Sequence, residues 1–394
     1  MTLAYHRFDP GPCGFPRPRV PVLPPLSRAQ LGPARPEPAG RRRHYTRGRY
    51  ALHAAYALAG VGPRGALLAP AYHCRTMLDP ALQLGAEVAL YPLTPDLHAD
   101  LDGIQRATAA CRTRPAAVLL THYFGLPRRL AEVSTWCRAE GITLVEDCSH
   151  ALPGTAGDDA SSQPPIGHSG RWAVSSPYKF FPCPDGGWLW ANGDAVLPAD
   201  APGSPGARAE LRGTLAAWEQ LRHAPQAPDP AAIGNELAAM EPRLALRGRD
   251  WAEHGNATSD DYAAVAEGIG GLTVSRWIER HTDLALLIER RRSRYRQWVA
   301  AVDGLRGVAA LLPDLPRGVA PYMFPLLVDD PPRLFYPLKQ LGLPIWRWDD
   351  MAVSDCTVSQ RYRQGVFHLP CHQALDDAQM AWMTAAVRAV ATLG

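Results

Sequence analysis

The sequence predicts an α/β protein, with a large domain built on a mainly parallel sheet covered by helices on both sides and a smaller C-terminal α+β domain. Three observations predict it. Six short apolar runs between residues 66 and 191 alternate with helix-like segments, as strands buried on both faces do. A long amphipathic stretch, DLALLIERRRSRYRQWVAAV, begins at about residue 281 and is followed by short mixed segments. The chain has 394 residues, 46% of them hydrophobic, enough for one large core and a smaller one.

In chain order, residues 1–44 are rich in proline and short of periodic pattern. PRPRVPVLPPL and GPARPEPAG favour an extended, polyproline-like arm lying along the body or a partner subunit. RGRYALHAAYALAGV then reads as a helix opened by Gly48 and broken at Gly60 to Pro63. The apolar runs follow: ALLAP (66–70), AEVALY (86–91), AAVLLTH (116–122), ITLVE (142–146), WAVSS (172–176) and GWLWA (187–191). Their alternation with helices implies the parallel sheet. Residues 199–233, rich in Ala, Pro and Gly, read as long loops around one helix near 207–222. After the long helix, YMFPLLV, LGLPIWRW and VFHLPC fit the small domain. The expected division is an arm over 1–44, a large domain over 45–280 and a small domain over 281–394.

Composition narrows the function. The formal net charge is +3, and basic residues are spread along the chain apart from Arg41, Arg42 and Arg43, which argues against nucleic acid as a partner. The eight cysteines (Cys13, Cys74, Cys111, Cys137, Cys148, Cys183, Cys356, Cys371) form no CxxC pair and read as reduced thiols. MTLAYHRFDPGPCG has no signal-like pattern, and no run approaches the ~18 apolar residues needed to cross a membrane. A cytoplasmic protein without membrane contact, acting on small molecules, is the expectation. Of 41 basic residues only Lys179 and Lys339 are lysines, so any lysine chemistry must use one of the two.

The chemistry concentrates at two strand ends. TLVEDCSHAL (143–152) releases Glu146, Asp147, Cys148, Ser149 and His150 where ligands sit in open α/β sheets, although by itself it also reads as an ordinary acidic turn. WAVSSPYKFFPCPDGG carries Ser175 and Ser176, then Lys179 among Tyr178, Phe180 and Phe181, a setting that desolvates an amine and makes it nucleophilic. A hydroxyl three residues before an amine allows one to hold a phosphate while the other reaches an aldehyde on the same small molecule. Pyridoxal 5'-phosphate (PLP) makes that demand, and Asp147 would keep its pyridine nitrogen protonated. The helix opened by Gly48, Arg49 and Tyr50 offers backbone N–H groups to the phosphate.

Taken in order, RGRYAL, PAYHC (70–74), LGAEVALYPL, THYFGLP, EDCSHAL, KFFPCPDGG, the arginine-rich helix and VFHLPCHQAL resemble the DegT/DnrJ/EryC1/StrS aminotransferase family over roughly residues 45–394. The resemblance implies an aspartate-aminotransferase-like architecture (PLP fold type I) and a homodimer with active sites at the subunit interface. It makes Lys179 the Schiff-base lysine, Asp147 the pyridine-nitrogen acid and His150 the residue near the ring hydroxyl. It puts Ser175, Ser176 and Gly48-Arg49-Tyr50 at the phosphate, His73 and Cys74 beside the ring, and Ser275 with Arg276 in the segment reaching a partner's site. The implied activity is transfer of an amino group from an amino acid donor to a keto sugar or related keto precursor. PLP-dependent elimination, aldol-type cleavage or cyclisation is the alternative reaction class, and a non-catalytic binding or regulatory protein the alternative of another kind. The chain departs from the family in having Cys74 where an aromatic residue usually stacks on the ring, Arg49 in place of a threonine, a serine closer to the lysine, and Ser275 in place of an asparagine.

Other residues carry two readings each. His122 and Tyr123 either line the pocket or are structural. Trp346, Arg347 and Trp348 either close over substrate or pack at a domain boundary. Cys371 and His372 lack a second ligand pair at suitable spacing, so no metal site is expected.

Overall fold

The computed structural model of the chain describes residues 2–36, 42–155, 164–222 and 227–393. Among the described residues twelve strands form three sheets. A seven-stranded sheet contains β2 (Arg42–Tyr45), β3 (Ala66–Pro70), β4 (Val88–Tyr91), β5 (Pro115–Thr121), β6 (Thr143–Asp147), β7 (Trp172–Ser175) and β8 (Gly187–Ala191), in the order β2-β8-β7-β6-β5-β3-β4. Strands β4, β3, β5, β6 and β7 are parallel, and β8 is antiparallel to both β7 and β2. A ribbon pairs β1 (Ala4–Asp9) with β9 (Arg249–His254), and β10 (Val308–Ala310), β11 (Met323–Val328) and β12 (Val366–Pro370) form an antiparallel sheet.

The six apolar runs are six of the seven strands of the large sheet. Alternate side chains go to opposite faces: Ala117 and Leu119 of β5 join the core under helix α1 (Gly48–Leu58), whereas Val118 and Leu120 join the core on the other face. The helix exists because Tyr50, Ala51, Leu52, Ala55 and Tyr56 recur at helical spacing and bury one stripe, and it stops before Gly60, whose φ of 83° favours glycine. The long helix Leu284–Val302 buries Leu287, Arg291, Tyr295, Trp298 and Val302.

The described N-terminal residues, 2–36 and 42–44, are more structured than their proline content suggests; the end of GPARPEPAG and Arg41 lie outside the described residues. Strands β1 and β2 both fall among them, and Cys13 and Val20 are buried in the core of the three-stranded sheet beside Trp298, Phe324 and Trp382. Edge pairing and packing against distant parts of the same chain supply what the local pattern lacks. LGLPIWRW contributes no strand, only a bridge from Trp346 to His368, because the chain turns aside to place Trp348 elsewhere.

Burial of neutral histidines sets an acid limit on stability. Burial first of all lowers His73 to about 4 and His368 and His372 to about 3, from an ordinary 6.5. Each is neutral in the fold, so as the pH drops below 6.5 the unfolded chain binds the extra protons. Stability is then full above pH 6.5 and falls through the window down to about 4, by roughly 1.4 kcal/mol per histidine per pH unit. Urea unfolding at pH values across that window should show the midpoint moving down as pH falls.

Candidate active site

The carboxyl ends of β5, β6 and β7 deliver Thr121, Asp147 and, one turn on, Lys179 to a single small cavity. Its wall also includes Arg47, Gly48, Arg49, Cys74, Ser149, His150, Ser176, Tyr178 and Trp348. Lys179 follows β7 directly, in the turn Pro177–Lys179, which places its amine at the cavity wall rather than in solvent. Lys339 lies elsewhere, on the helix Pro331–Gln340 with its ammonium 5.7 Å from the Phe15 ring centroid. Lys179 is therefore the lysine of the site.

One end of the cavity is a small polar cradle. The Ser176 hydroxyl donates to the Ser149 hydroxyl at 3.1 Å, and both sit against Gly48 at the start of α1. A Cβ at Gly48 would lie 2.3 Å from Ser176 Oγ, so any larger residue would displace that hydroxyl from the cradle. Arg49, also on the wall, has its nearest carboxylate 3.9 Å away on exposed Asp261.

Asp147 is 2% exposed, and its Oδ1 accepts the Ser149 N–H at 2.8 Å. His150 lies against Tyr322 (ring centroids 4.4 Å) and Trp348 (5.3 Å). Burial, then the Lys179 ammonium and His368, hold the His150 imidazole well below its ordinary value, so it is neutral. Its Nδ1 is buried without a hydrogen-bond partner on the protein, a donor or acceptor still to be matched. The Lys179 ammonium lies 5.3 Å from the Tyr322 ring centroid.

Four of the expected residues do not reach the cavity wall. Ser175 turns its hydroxyl the other way, donating to the Cys148 carbonyl at 3.1 Å, because it precedes Ser176 by one position at the end of a strand. Tyr50 points across α1 to Tyr262 (5.5 Å). His73 is buried and accepts the Ala352 N–H at 3.2 Å through Nε2. Ser275 is 2% exposed, and its hydroxyl donates to Asp185 at 2.5 Å, so the group expected to reach a partner's site is committed inside its own chain. Arg276 is exposed, with a 3.4 Å bond to Thr273.

The residues with two readings divide. Trp348 lines the cavity, whereas Trp346 is 39% exposed and Arg347 is held by Asp349 at 2.8 Å and by the Phe335 ring at 3.4 Å. Tyr123 donates to the Tyr72 carbonyl at 2.6 Å, and His122 bonds Glu146 at 2.8 Å while its Nδ1 accepts the Arg128 N–H. Glu146 also accepts the N–H groups of Gly167, Ser169 and Gly170. Burial raises its pKa, but these bonds and His122 outweigh that and leave the carboxyl below its usual range. Cys148 lies near His122 and Glu146, close enough for a metal, but burial and then the charges of Glu146 and Asp147 keep it a thiol, and the other two donors are already committed. Cys371 and His372 are taken by the backbone of Tyr322 and Pro21.

Sequence reasoning gave Ser149 no role of its own and passed over Thr121 and Arg47. The serine had a signal, its place in EDCSH two residues after the acid; the other two had none.

A parallel sheet with one reversed strand, a lysine just past one strand and a buried acid at the end of the next define the class: an aspartate-aminotransferase-like fold, PLP fold type I. Residues 45–198, which carry the whole large sheet except the first three residues of its edge strand β2, match the model of the DegT/DnrJ/EryC1/StrS aminotransferase family. Solved structures extend the likeness of fold to nearly the whole chain. A DesI structure with its TDP-sugar product is 16% identical with a TM-score of 0.62, covering 97% of this chain and 95% of its own. DesV of S. venezuelae, in complex with a ketimine intermediate, is 18% identical with a TM-score of 0.59, covering 89% and 85%. A DegT/DnrJ/EryC1/StrS aminotransferase from Brucella abortus is 18% identical with a TM-score of 0.58, covering 88% and 85%.

Proposed function

We propose that the protein is a PLP-dependent aminotransferase that moves an amino group from an amino acid donor to a keto sugar or related keto precursor in polysaccharide or natural-product biosynthesis. The observation that carries this reading is the single cavity holding one amine, one buried carboxylate and a glycine-opened hydroxyl cradle. The donor set fits the cofactor. Ser176, Ser149 and the first turn of α1 would bind the phosphate, Asp147 the pyridine nitrogen, and the unmatched Nδ1 of neutral His150 a ring substituent. When bound, PLP supplies an aldehyde for amine exchange and a ring that accepts electrons from the substrate carbon.

The protein's own part is to hold and move protons. Asp147 holds a proton on the ring nitrogen by its charge. Lys179 is the one amine at the cavity wall and is placed to take and return the proton of the substrate's α-carbon. Trp348 and Tyr178 wall the cavity and limit water there. The family name of residues 45–198 and the TDP-sugar product of DesI support a keto sugar as acceptor. The test is a visible spectrum of the protein loaded with PLP and titrated with glutamate or glutamine. Conversion to the spectrum of pyridoxamine phosphate is expected, and its absence with every amino donor would remove the aminotransferase reading.

The cradle makes a separate prediction. Gly48→Ala should weaken PLP binding by roughly tenfold or more, since the new methyl meets Ser176 Oγ and a lost phosphate hydrogen bond of charged character is worth ~1.5–3 kcal/mol. Absorbance titration of cofactor-free protein measures it. We also propose a homodimer, checked by light scattering, and a reducing, cytoplasmic setting, which the eight unpaired thiols support. No described helix is long and apolar enough to cross a membrane.

A further inference from the structure

Arg291 is fully buried, with no carboxylate among its hydrogen-bond partners. It lies on the helix Leu284–Val302, and its donors all go to neutral oxygens. Nε donates to Gln373 Oε1 at 2.8 Å, one terminal nitrogen to the carbonyls of Pro321 and Tyr322 at 3.1 Å each, and the other to those of Lys179 at 2.9 Å and Phe180 at 3.3 Å. The planar fork thus joins the lysine turn to the residues leading into β11, and the guanidinium lies 4.7 Å from the Phe180 ring centroid. Gln373 closes the arrangement by donating to the Phe180 carbonyl at 2.8 Å.

Two of the four carbonyls it grips belong to Lys179 and Tyr322, the residues whose side chains face each other across 5.3 Å. Burying a guanidinium without a counter-ion is costly, and what offsets the cost here is the set of carbonyls it ties together. We infer that Arg291 is a positioning residue for the amine of Lys179: by clamping the backbone of the lysine turn to that of Tyr322, it fixes where the ammonium stands between Asp147 and the aromatic wall of Tyr322 and His150. This rests on the reading of Lys179 as the site nucleophile.

The chain's two lysines make the test clean. Cofactor-free protein is labelled with an amine-reactive anhydride over a range of pH, and Lys179 and Lys339 are quantified by peptide mapping in wild type, Arg291→Gln and Gln373→Ala. In Arg291→Gln the rate of Lys179 labelling should change at least about fivefold, with Lys339 unchanged as internal control, and Gln373→Ala should shift it in the same direction by less. In the PLP-loaded protein kcat should fall by roughly 10²-fold with the donor KM within a few-fold, as for a reactive group displaced by about 1 Å. If Arg291→Gln does not fold, Gln373→Ala decides alone. Identical Lys179 profiles in wild type and the folded variants, with only a lower Tm, overturn the inference. A wild-type protein that forms no borohydride-reducible adduct on Lys179 instead overturns the underlying function, so the two failures are distinct.

Discussion

Lys179→Ala is expected to abolish the borohydride-reducible PLP chromophore and lower amino transfer by roughly 10⁴-fold or more, since on the proposed function it removes both the anchoring amine and the proton carrier, the latter alone contributing up to ~10⁴. The structure sharpens the expectation. Lys339 is half-buried on the helix Pro331–Gln340 against Phe15, away from the cavity, so no second lysine amine can take over. The variant should still fold, because the Lys179 side chain makes no hydrogen bond on the protein that its loss would break, and the turn is held by the backbone bond from Lys179 N–H to the Ser176 carbonyl and by the Arg291 guanidinium donating to the Lys179 carbonyl. Mass mapping after reduction is the check. An adduct on Lys339, or an unchanged chromophore in the variant, would end this account of the site.

Asp147→Asn should leave the fold and the chromophore in place and lower kcat by roughly 10²–10⁴-fold. The carboxylate is 2% exposed, so its charge acts at short range with little solvent screening. Removing one partner of a buried charge pair costs ~3–5 kcal/mol, and each 1.36 kcal/mol placed on the barrier is about tenfold in rate. The amide still accepts the Ser149 N–H through its oxygen, so the turn after β6 keeps its geometry. The sign is specific: the loss should appear in kcat, with PLP affinity changed much less than in Gly48→Ala. An Asp147→Asn enzyme turning over at the wild-type rate would mean that the proton on the ring nitrogen is not held from this position.

Sequence alone established the sheet, because five of its strands are parallel and buried on both faces, which forces continuous apolar runs whatever their order. It also located the lysine and the acid, since the ends of such strands are where polar side chains gather and only two lysines exist in the chain. Strands β1 and β2 were illegible for the opposite reason: they lie at edges or in a two-stranded ribbon, and their pairing with β9 and β8 compensates for a weak local pattern.

Within the site, the limit was one of phase. Ser175 and Ser176 are neighbours in sequence, and the position at which β7 gives way to a turn decides which hydroxyl enters the cavity; Ser176 does, beside Ser149 and Gly48. Tyr50 is carried away by rotation about the axis of α1, although Gly48 and Arg49 line the wall. Of the residues brought from afar, Trp348 carried two readings in the sequence and Tyr322 and Arg291 were given no role there. Trp348, Tyr322 and Arg291 meet the lysine across more than a hundred positions of chain, through packing of the C-terminal elements against the large sheet. Strand ends and residue chemistry, being local, were fixed by the order of amino acids; the facing of each side chain and the company it keeps depend on register and long-range packing, which only the folded chain decides.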